Sequence, residues 1–341
     1  MKTFLRILGY ILILVLPYSI ISFFVCVKIY NKQFKRFKYE HSLFPSIDDY
    51  QGLERTQVSF LSKKKRLTGY LYGGESKKGL VIISHGIGAS HEKYLSHINY
   101  FVQKGYQVLG FDNTGSGISE GKSVVGLVQS AIDLNSAIEF VRNDKTLKDN
   151  KLYLFGHSWG GYAVLSVLNV RKDIDSAVSI CGYNSAKERF FERMFAIIKC
   201  YGYLQEPYML LYQYMLFGRK LNNDAIKGLN KSDVKALIYQ GGMDQTVKAD
   251  KDAVYAKKDD SKNKKVKFIL RENLGHNNLL LSESARALLA EFDKKKRMLN
   301  EKYQNNVPKE ELDALYNSEN KVMINEPNDE LMEESIMMFE A

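Results

Sequence analysis

The sequence predicts an α/β fold, with a mostly parallel central sheet and helices on both faces. Three observations carry this. Between residues 79 and 180, apolar stretches of strand length alternate with stretches of helical period, the rhythm of parallel strands joined by crossover helices. Gly156-His157-Ser158-Trp159-Gly160 stands where one apolar strand stops and a small-residue helix begins. The chain is also 45% hydrophobic and 26% charged over 341 residues, a globular composition long enough for one large core.

Taken in order, the chain opens with 21 uncharged and almost wholly apolar residues from Ile7 to Val27, long enough to cross a bilayer as a helix. The run exceeds a secretory signal core. Lys28, Lys32, Lys35, Arg36 and Lys38 follow it in place of a small-residue cleavage site. The expectation is an uncleaved transmembrane anchor over residues 1–30, with Pro17 inside it, and a basic linker over 31–49. With only Lys2 and Arg6 before the span, the positive-inside rule leans the single-pass protein toward a cytoplasmic catalytic domain.

A soluble domain over 50–299 begins with two strands, Gln57 to Leu61 and Leu67 to Leu71, flanking the basic turn Lys63 to Arg66 as an antiparallel edge. The strand from Gly79 to Ser84 runs into His85-Gly86-Ile87-Gly88, then come a helix from about Ser90 to Lys104 and a strand from Tyr106 to Phe111. Asp112 to Gly121 is glycine-rich, but Glu120 stands where a dinucleotide fingerprint needs its third glycine and no helix opens at the glycines. A tight loop is the better reading. A helix from Ser130 to Val141 leads to the strand Lys151 to Phe155, and Ser176 to Ile180 forms the next strand.

The rhythm breaks over residues 183–233, where Phe190, Phe191, Phe195, Tyr201, Tyr208 and Tyr212 are among many aromatics. This interval is either helical packing on the sheet or a helical cap with an apolar face toward Ser158, and its position suits the cap. Strands return at Lys235 to Gln240 and Val266 to Leu270, and a helix starts near Ser282. Residues 300–341 read as a C-terminal extension, helical or disordered, acidic and methionine-rich over the last sixteen residues.

Charge and cysteines exclude other classes. The net charge is +10, but the basic residues are scattered through runs such as Lys63 to Lys65 and Lys294 to Arg297, which suit solvated faces and not a nucleic-acid site. Cys26, Cys181 and Cys200 are far apart, with neither metal-ligand spacing nor a disulfide framework. No cofactor and no metal are expected.

Strand, sharp turn and helix around Ser158 make a nucleophile elbow. Its flanking glycines suit a turn in which a Cβ would crowd both neighbours. Two further polar residues follow strand ends. Asp244 lies in Gly241-Gly242-Met243-Asp244 after the strand ending at Gln240, with Asp250 its nearest rival; His276 lies in Gly275-His276-Asn277-Asn278 after the last strand. Nucleophile, acid and base thus occur in the order Ser158, Asp244, His276.

With these residues in view, the chain resembles the α/β-hydrolase superfamily, and within it the serine-aminopeptidase-like and monoacylglycerol-lipase-like branch. The resemblance covers roughly residues 50–295. It rests on His85-Gly86, Asp112 to Gly121, Gly156 to Gly161, Gly241 to Asp244 and Gly275-His276; Thr114 stands where relatives often carry arginine. It implies an oxyanion hole from the backbone N–H groups of Ile87 and Trp159, and a structural role for His85. The expected activity is carboxylic-ester hydrolysis, of a lipid-like or small acyl ester, through a Ser158-His276-Asp244 triad and an acyl-enzyme. A peptidase or aminopeptidase on short peptides and an acyltransferase are the alternatives, and a non-catalytic binding module is the remaining class. The expected partners are a small-molecule ester or peptide and the membrane, and no nucleic acid.

Overall fold

A computed structural model describes residues 2–37 and 43–341, excepting the side chains of residues 2–12 and of Leu14. Eight strands form one sheet in the order β1-β2-β4-β3-β5-β6-β7-β8: β1 (Arg55–Ser62), β2 (Lys65–Tyr72), β3 (Leu80–Ser84), β4 (Gln107–Phe111), β5 (Leu152–His157), β6 (Ser176–Ile180), β7 (Lys235–Gly241) and β8 (Val266–Arg271). The first two are an antiparallel hairpin, and β2 is antiparallel to β4; every later pairing is parallel. The carboxyl ends of β3, β5, β7 and β8 therefore face one edge. The loops that carry Ile87, Ser158, Asp244 and His276 leave the sheet there.

The central strands β3, β4, β5 and β6 are buried throughout, as strands covered on both faces must be. Alternation along each strand separates two cores. Leu80, Ile82 and Leu154 face one layer, with Leu134 and Ile138 of α3 (Gln129–Asn143) and Val164 and Leu165 of α4 (Trp159–Ser166). Val81, Ile83 and Phe155 face the other, with Ile98 and Phe101 of α2 (Leu95–Gln103).

The second layer corrects the expected domain boundary. The tail is helical, as α8 (Glu283–Lys302), α9 (Lys309–Asn317) and α10 (Asp329–Glu340), but α10 is not an appendage. Leu331, Met332 and Phe339 are buried in the core beneath the sheet, and the Phe339 ring stacks on Tyr153 of β5 at 4.6 Å. Ser176 Oγ donates to the Met338 carbonyl at 2.9 Å, and Arg271 at the end of β8 pairs with Glu330. The acidic composition suggested a solvated segment because charges on one helical face mask the apolar stripe on the other.

The N-terminal run also differs from a separable anchor and linker. It lies within α1 (Lys2–Gln33), and the end of α1 joins a third core. Cys26 and Tyr30 of α1, with Phe34 just beyond it, are buried with Phe190 and Met194 of α5 (Ala186–Ile198), Met209 of α6 (Tyr201–Phe217) and Trp159 of α4. Helices α5 and α6 fill the interval read as a cap and pack on α1 and α4 in this third core; α7 (Ala225–Asn230) returns the chain beneath α4. Among the described residues, no helix is long and apolar enough to cross a membrane. The described side chains of α1 begin only at Ile13, and Lys38 of the expected linker lies outside the described residues.

Replacing Phe339 with alanine is expected to cost about 3–5 kcal/mol in urea denaturation. Met337→Ala, on the exposed side of the same helix, should change stability by less than about 0.5 kcal/mol. Equal, small effects would return the tail to the status of an extension.

Candidate active site

Ser158 sits between β5 and α4 with φ +57° and ψ −110°, a conformation L-residues avoid unless surroundings force it. Here the surroundings do so by close approach. A Cβ on Gly160 would lie 1.8 Å from the Ser84 carbonyl oxygen, and one on Gly156 would lie 2.3 Å from the Gly160 oxygen. Glycine at both positions lets the turn close against β3. The turn is fixed further by Ser158 N–H donating to the Ile180 carbonyl at 2.8 Å. The Ser158 side chain is mostly buried, and among the described residues its Oγ makes no hydrogen bond.

Asp244 and His276 are brought together. His276 Nδ1 donates to Asp244 Oδ2 at 2.6 Å, so that in the neutral ring Nε2 is the acceptor. The carboxylate is held from several sides. Its Oδ1 accepts the N–H groups of Thr246 at 2.7 Å and Val247 at 2.8 Å, and Gln240 Nε2 donates to Oδ2 at 3.3 Å. Burial raises the Asp244 pKa, but the bond and charge of His276 and the two amides outweigh it and hold the carboxyl below its ordinary value. Asp250, the rival acid, is exposed.

The histidine loop is tied to the elbow. His157 Nε2 donates to the His276 carbonyl at 3.0 Å, its Nδ1 accepts from Tyr94 Oη at 2.9 Å, and the two imidazole rings lie 4.8 Å apart. This sets His276 beside the residue that precedes Ser158, although no hydrogen bond joins Ser158 to His276 among the described residues. Such bonds are often long before substrate binds. Burial, then the neighbouring His276 and Lys93, push the His157 pKa well down, so it is a neutral strut.

Of the expected oxyanion donors, Ile87 lies on the loop after β3 and Trp159 at the start of α4. The 85–88 loop packs on the elbow, where a Cβ on Gly86 would lie 3.6 Å from the His157 carbonyl oxygen. Among the described residues, neither the Ile87 nor the Trp159 N–H donates to a turn, loop or cap carbonyl. Trp159 is the first residue of α4, so it lacks an intrahelical acceptor and lies at the positive end of the helix dipole. His85 is buried with both nitrogens engaged, Nδ1 with the Gly86 carbonyl and Nε2 with the Asn113 N–H, and serves as a loop brace.

The glycine-rich loop after β4 is a brace as well. Asp112 accepts from His91 N–H and Nδ1 at 2.8 Å and from the Ile118 N–H at 3.0 Å. Burial raises its pKa, but His91 prevails and holds it at about 2. Thr114, at the position where relatives often have arginine, donates from N and Oγ1 to the buried Asp133.

Cys181 and His157 were not singled out in the sequence. Ligand-type atoms of His157, Cys181 and His276 lie within 4.8 Å of one another. Both imidazoles are already hydrogen-bonded, however, and burial, then Asp244, push the Cys181 thiol pKa well up. The group reads as the buried flank of the Asp244–His276 pair. No sequence signal marked Cys181, because its neighbours come from β7 and the loop after β8.

Comparison with known proteins bears on this arrangement. The esterase Pf2001 of Pyrococcus furiosus superimposes with a TM-score of 0.54 at 18% identity, covering 79% of this chain and 98% of that one. Acetyl xylan esterase 1 of Thermoanaerobacterium gives 0.51 at 17% identity over 75% of this chain and 88% of its own. The chain has the α/β-hydrolase fold. The serine aminopeptidase S33 family model matches residues 75–204, a stretch that includes Ile87 and Ser158 and ends before Asp244 and His276. A proline iminopeptidase of Chitinophaga pinensis is 34% identical over 91 residues, which is 26% of this chain and 29% of that protein. The quorum-quenching protein AidA of Acinetobacter baumannii is 26% identical over 131 residues, 37% of this chain and 43% of its own. The matched stretch thus spans less than half the length of these relatives.

The buried histidines make stability pH-dependent. Unfolded, an imidazole binds a proton below about pH 6.5; burial, against the Leu280 hydrogen bond, keeps His97 neutral until about pH 4. Stability is therefore full above pH 6.5 and falls as pH drops toward 4, on the order of 3 kcal/mol from this residue. His97→Gln, whose amide can still reach the Leu280 carbonyl, should flatten urea-derived stability between pH 7 and pH 4.5.

Proposed function

We propose that the protein is a membrane-attached serine hydrolase that cleaves carboxylic esters. The observation that carries this reading is the Asp244–His276 hydrogen bond beside a serine held in the elbow conformation. A serine hydroxyl is a weak nucleophile at neutral pH and needs a base within reach. His276 Nε2 takes the Ser158 proton as Oγ attacks the ester carbonyl, and Asp244 holds the imidazole tautomer and stabilises the imidazolium. The tetrahedral oxyanion is bound by the Ile87 and Trp159 N–H groups, a stabilisation of about 2.7–4 kcal/mol per donor. Collapse expels the alcohol, which takes the proton from His276. Water activated by the same imidazole then frees the acid and restores the serine.

Apolar surface favours a lipid-like ester over a peptide. A groove of about 210 Å³ between α1 and the cap is lined by Ile21, Val25, Ile29, Met194, Ile197 and Met209. Around it, Ile20, Phe24, Tyr201, Tyr203 and Leu204 are exposed. Such a patch marks contact with another apolar phase, here a bilayer. In the cap, the carboxylate of Glu192 is paired with Lys251 and is not available to a peptide amine. By the charge balance around residues 7–27, the catalytic domain lies on the cytoplasmic side.

A fluorophosphonate probe should label the detergent-solubilised protein, and Ser158→Ala should abolish labelling. His276→Ala should slow it by at least about a thousandfold. Among p-nitrophenyl esters and aminoacyl-nitroanilides, turnover of the esters is expected to dominate; preference for anilides would transfer the assignment to the peptidases. The full chain should float with phosphatidylcholine vesicles and resist carbonate extraction, whereas release by carbonate would remove the anchor.

A further inference from the structure

We propose that residues 34–37 form one wall of the substrate mouth and hold the loops around it, so that the segment after α1 is part of the site and not only a tether. The inference rests on the serine-hydrolase reading of Ser158 and adds specificity and positioning residues to it.

The segment is pinned by backbone and side-chain bonds. The Phe34 carbonyl accepts from Val124 N–H at 2.9 Å and from Ser123 Oγ at 2.6 Å; Arg36 N–H donates to the Lys122 carbonyl at 3.3 Å, and Lys35 pairs with Ser123. Residues 34–36 thus lie as a short extra strand along the chain that leaves the glycine-rich loop. This is more order than a basic linker requires.

Arg36 then reaches into that loop. Its Nη1 donates to the Ser119 carbonyl at 2.9 Å and the Gly121 carbonyl at 3.0 Å, and its Nη2 donates to the Gly117 carbonyl. Three carbonyl dipoles that converge on one spot repel one another unless a cation sits among them. A planar guanidinium with five donors meets all three, while an ammonium offers a single point of charge. The loop geometry is therefore coupled to the segment. Asp112, in the same loop, anchors His91, and the helix starting there leads into Tyr94, whose hydroxyl accepts from the Gly86 N–H of the oxyanion loop.

Phe37 completes the wall. A Cβ on Gly88 would lie 3.7 Å from Phe37 Cδ1 and Cε1, so the ring lies over the residue that follows Ile87. Phe37 is 40% exposed, Ile87 37% and Ile118, between two of the carbonyls held by Arg36, 56%. These large apolar side chains, on the segment and on the loops after β3 and β4, leave over a third of their surface uncovered in the folded chain, and the partner they suit is an apolar acyl or alkyl group of the substrate. A chain-length ratio taken within one variant reads substrate contact even where truncating this part-buried ring lowers stability.

The test uses the full chain in detergent and p-nitrophenyl esters from acetyl to octanoyl. Phe37→Ala should lower the octanoyl-to-acetyl ratio of kcat/KM by about five- to tenfold, and Phe37→Leu should restore most of it. Arg36→Ala should lower kcat for the acetyl ester about tenfold with KM within about twofold, and Arg36→Lys should recover only part. A chain-length ratio within about twofold of wild type in Phe37→Ala, or an Arg36→Ala variant altered only in melting temperature, would overturn the inference and leave the serine-hydrolase reading intact. A wild-type protein that neither turns over esters nor takes a fluorophosphonate at Ser158 would overturn both.

Discussion

The contact between Gly160 and the Ser84 carbonyl is the constraint on which the candidate site depends. Because neither glycine of the elbow carries a Cβ, β5 and α4 can meet at an angle that no other residue pair permits, and Ser158 is forced to a positive φ. The same approach sets the 85–88 loop against the elbow. One steric fact thus fixes both the conformation of Ser158 and the seat of the loop that carries Ile87. The strain at Ser158 is offset elsewhere, by a sheet whose central strands are buried on both faces.

Around this constraint the polar groups form braces. His85, His91 and His157 are all buried and hydrogen-bonded, and each ties one loop to another: 85–88 to the start of the 112–121 loop, that loop to the start of the segment before α2, and the elbow to the His276 loop. Buried imidazoles suit this work because each ring carries two nitrogens at fixed angles, through which it can join groups from different segments. His91 resembles His276 in bonding a carboxylate through Nδ1, but its side chain is only 1% exposed, whereas that of His276 is 12% exposed and its ring lies beside the elbow. That opening, more than its place in sequence, distinguishes His276 from the braces.

Much of this was legible in the sequence. Strand positions came from apolar runs punctuated by glycine, and Ser158, Asp244 and His276 came from their places after strand ends. Chain order could pair Asp244 with His276 because parallel strands deliver their following loops to one edge. Thr114 gave no guide to Asp133, nor did anything mark Cys181, since these partners meet only through the sheet order. The ends of the chain were the least legible. Residues 34–37 looked like a basic linker because pairing with residues 122–124 is a long-range contact with no periodic signature, and α10 looked like a solvated tail because its apolar stripe is narrow.

The position of α10 bears on how the protein is made. Tyr153 and the neighbouring apolar side chains of β5, β6 and β7 have their cover supplied by residues 329–340, which leave the ribosome more than 80 residues after β7 has been synthesised. Until then the nascent sheet presents a sticky apolar flank. Chaperone attention during translation should accordingly concentrate on that late interval, with release from it timed by the emergence of Phe339.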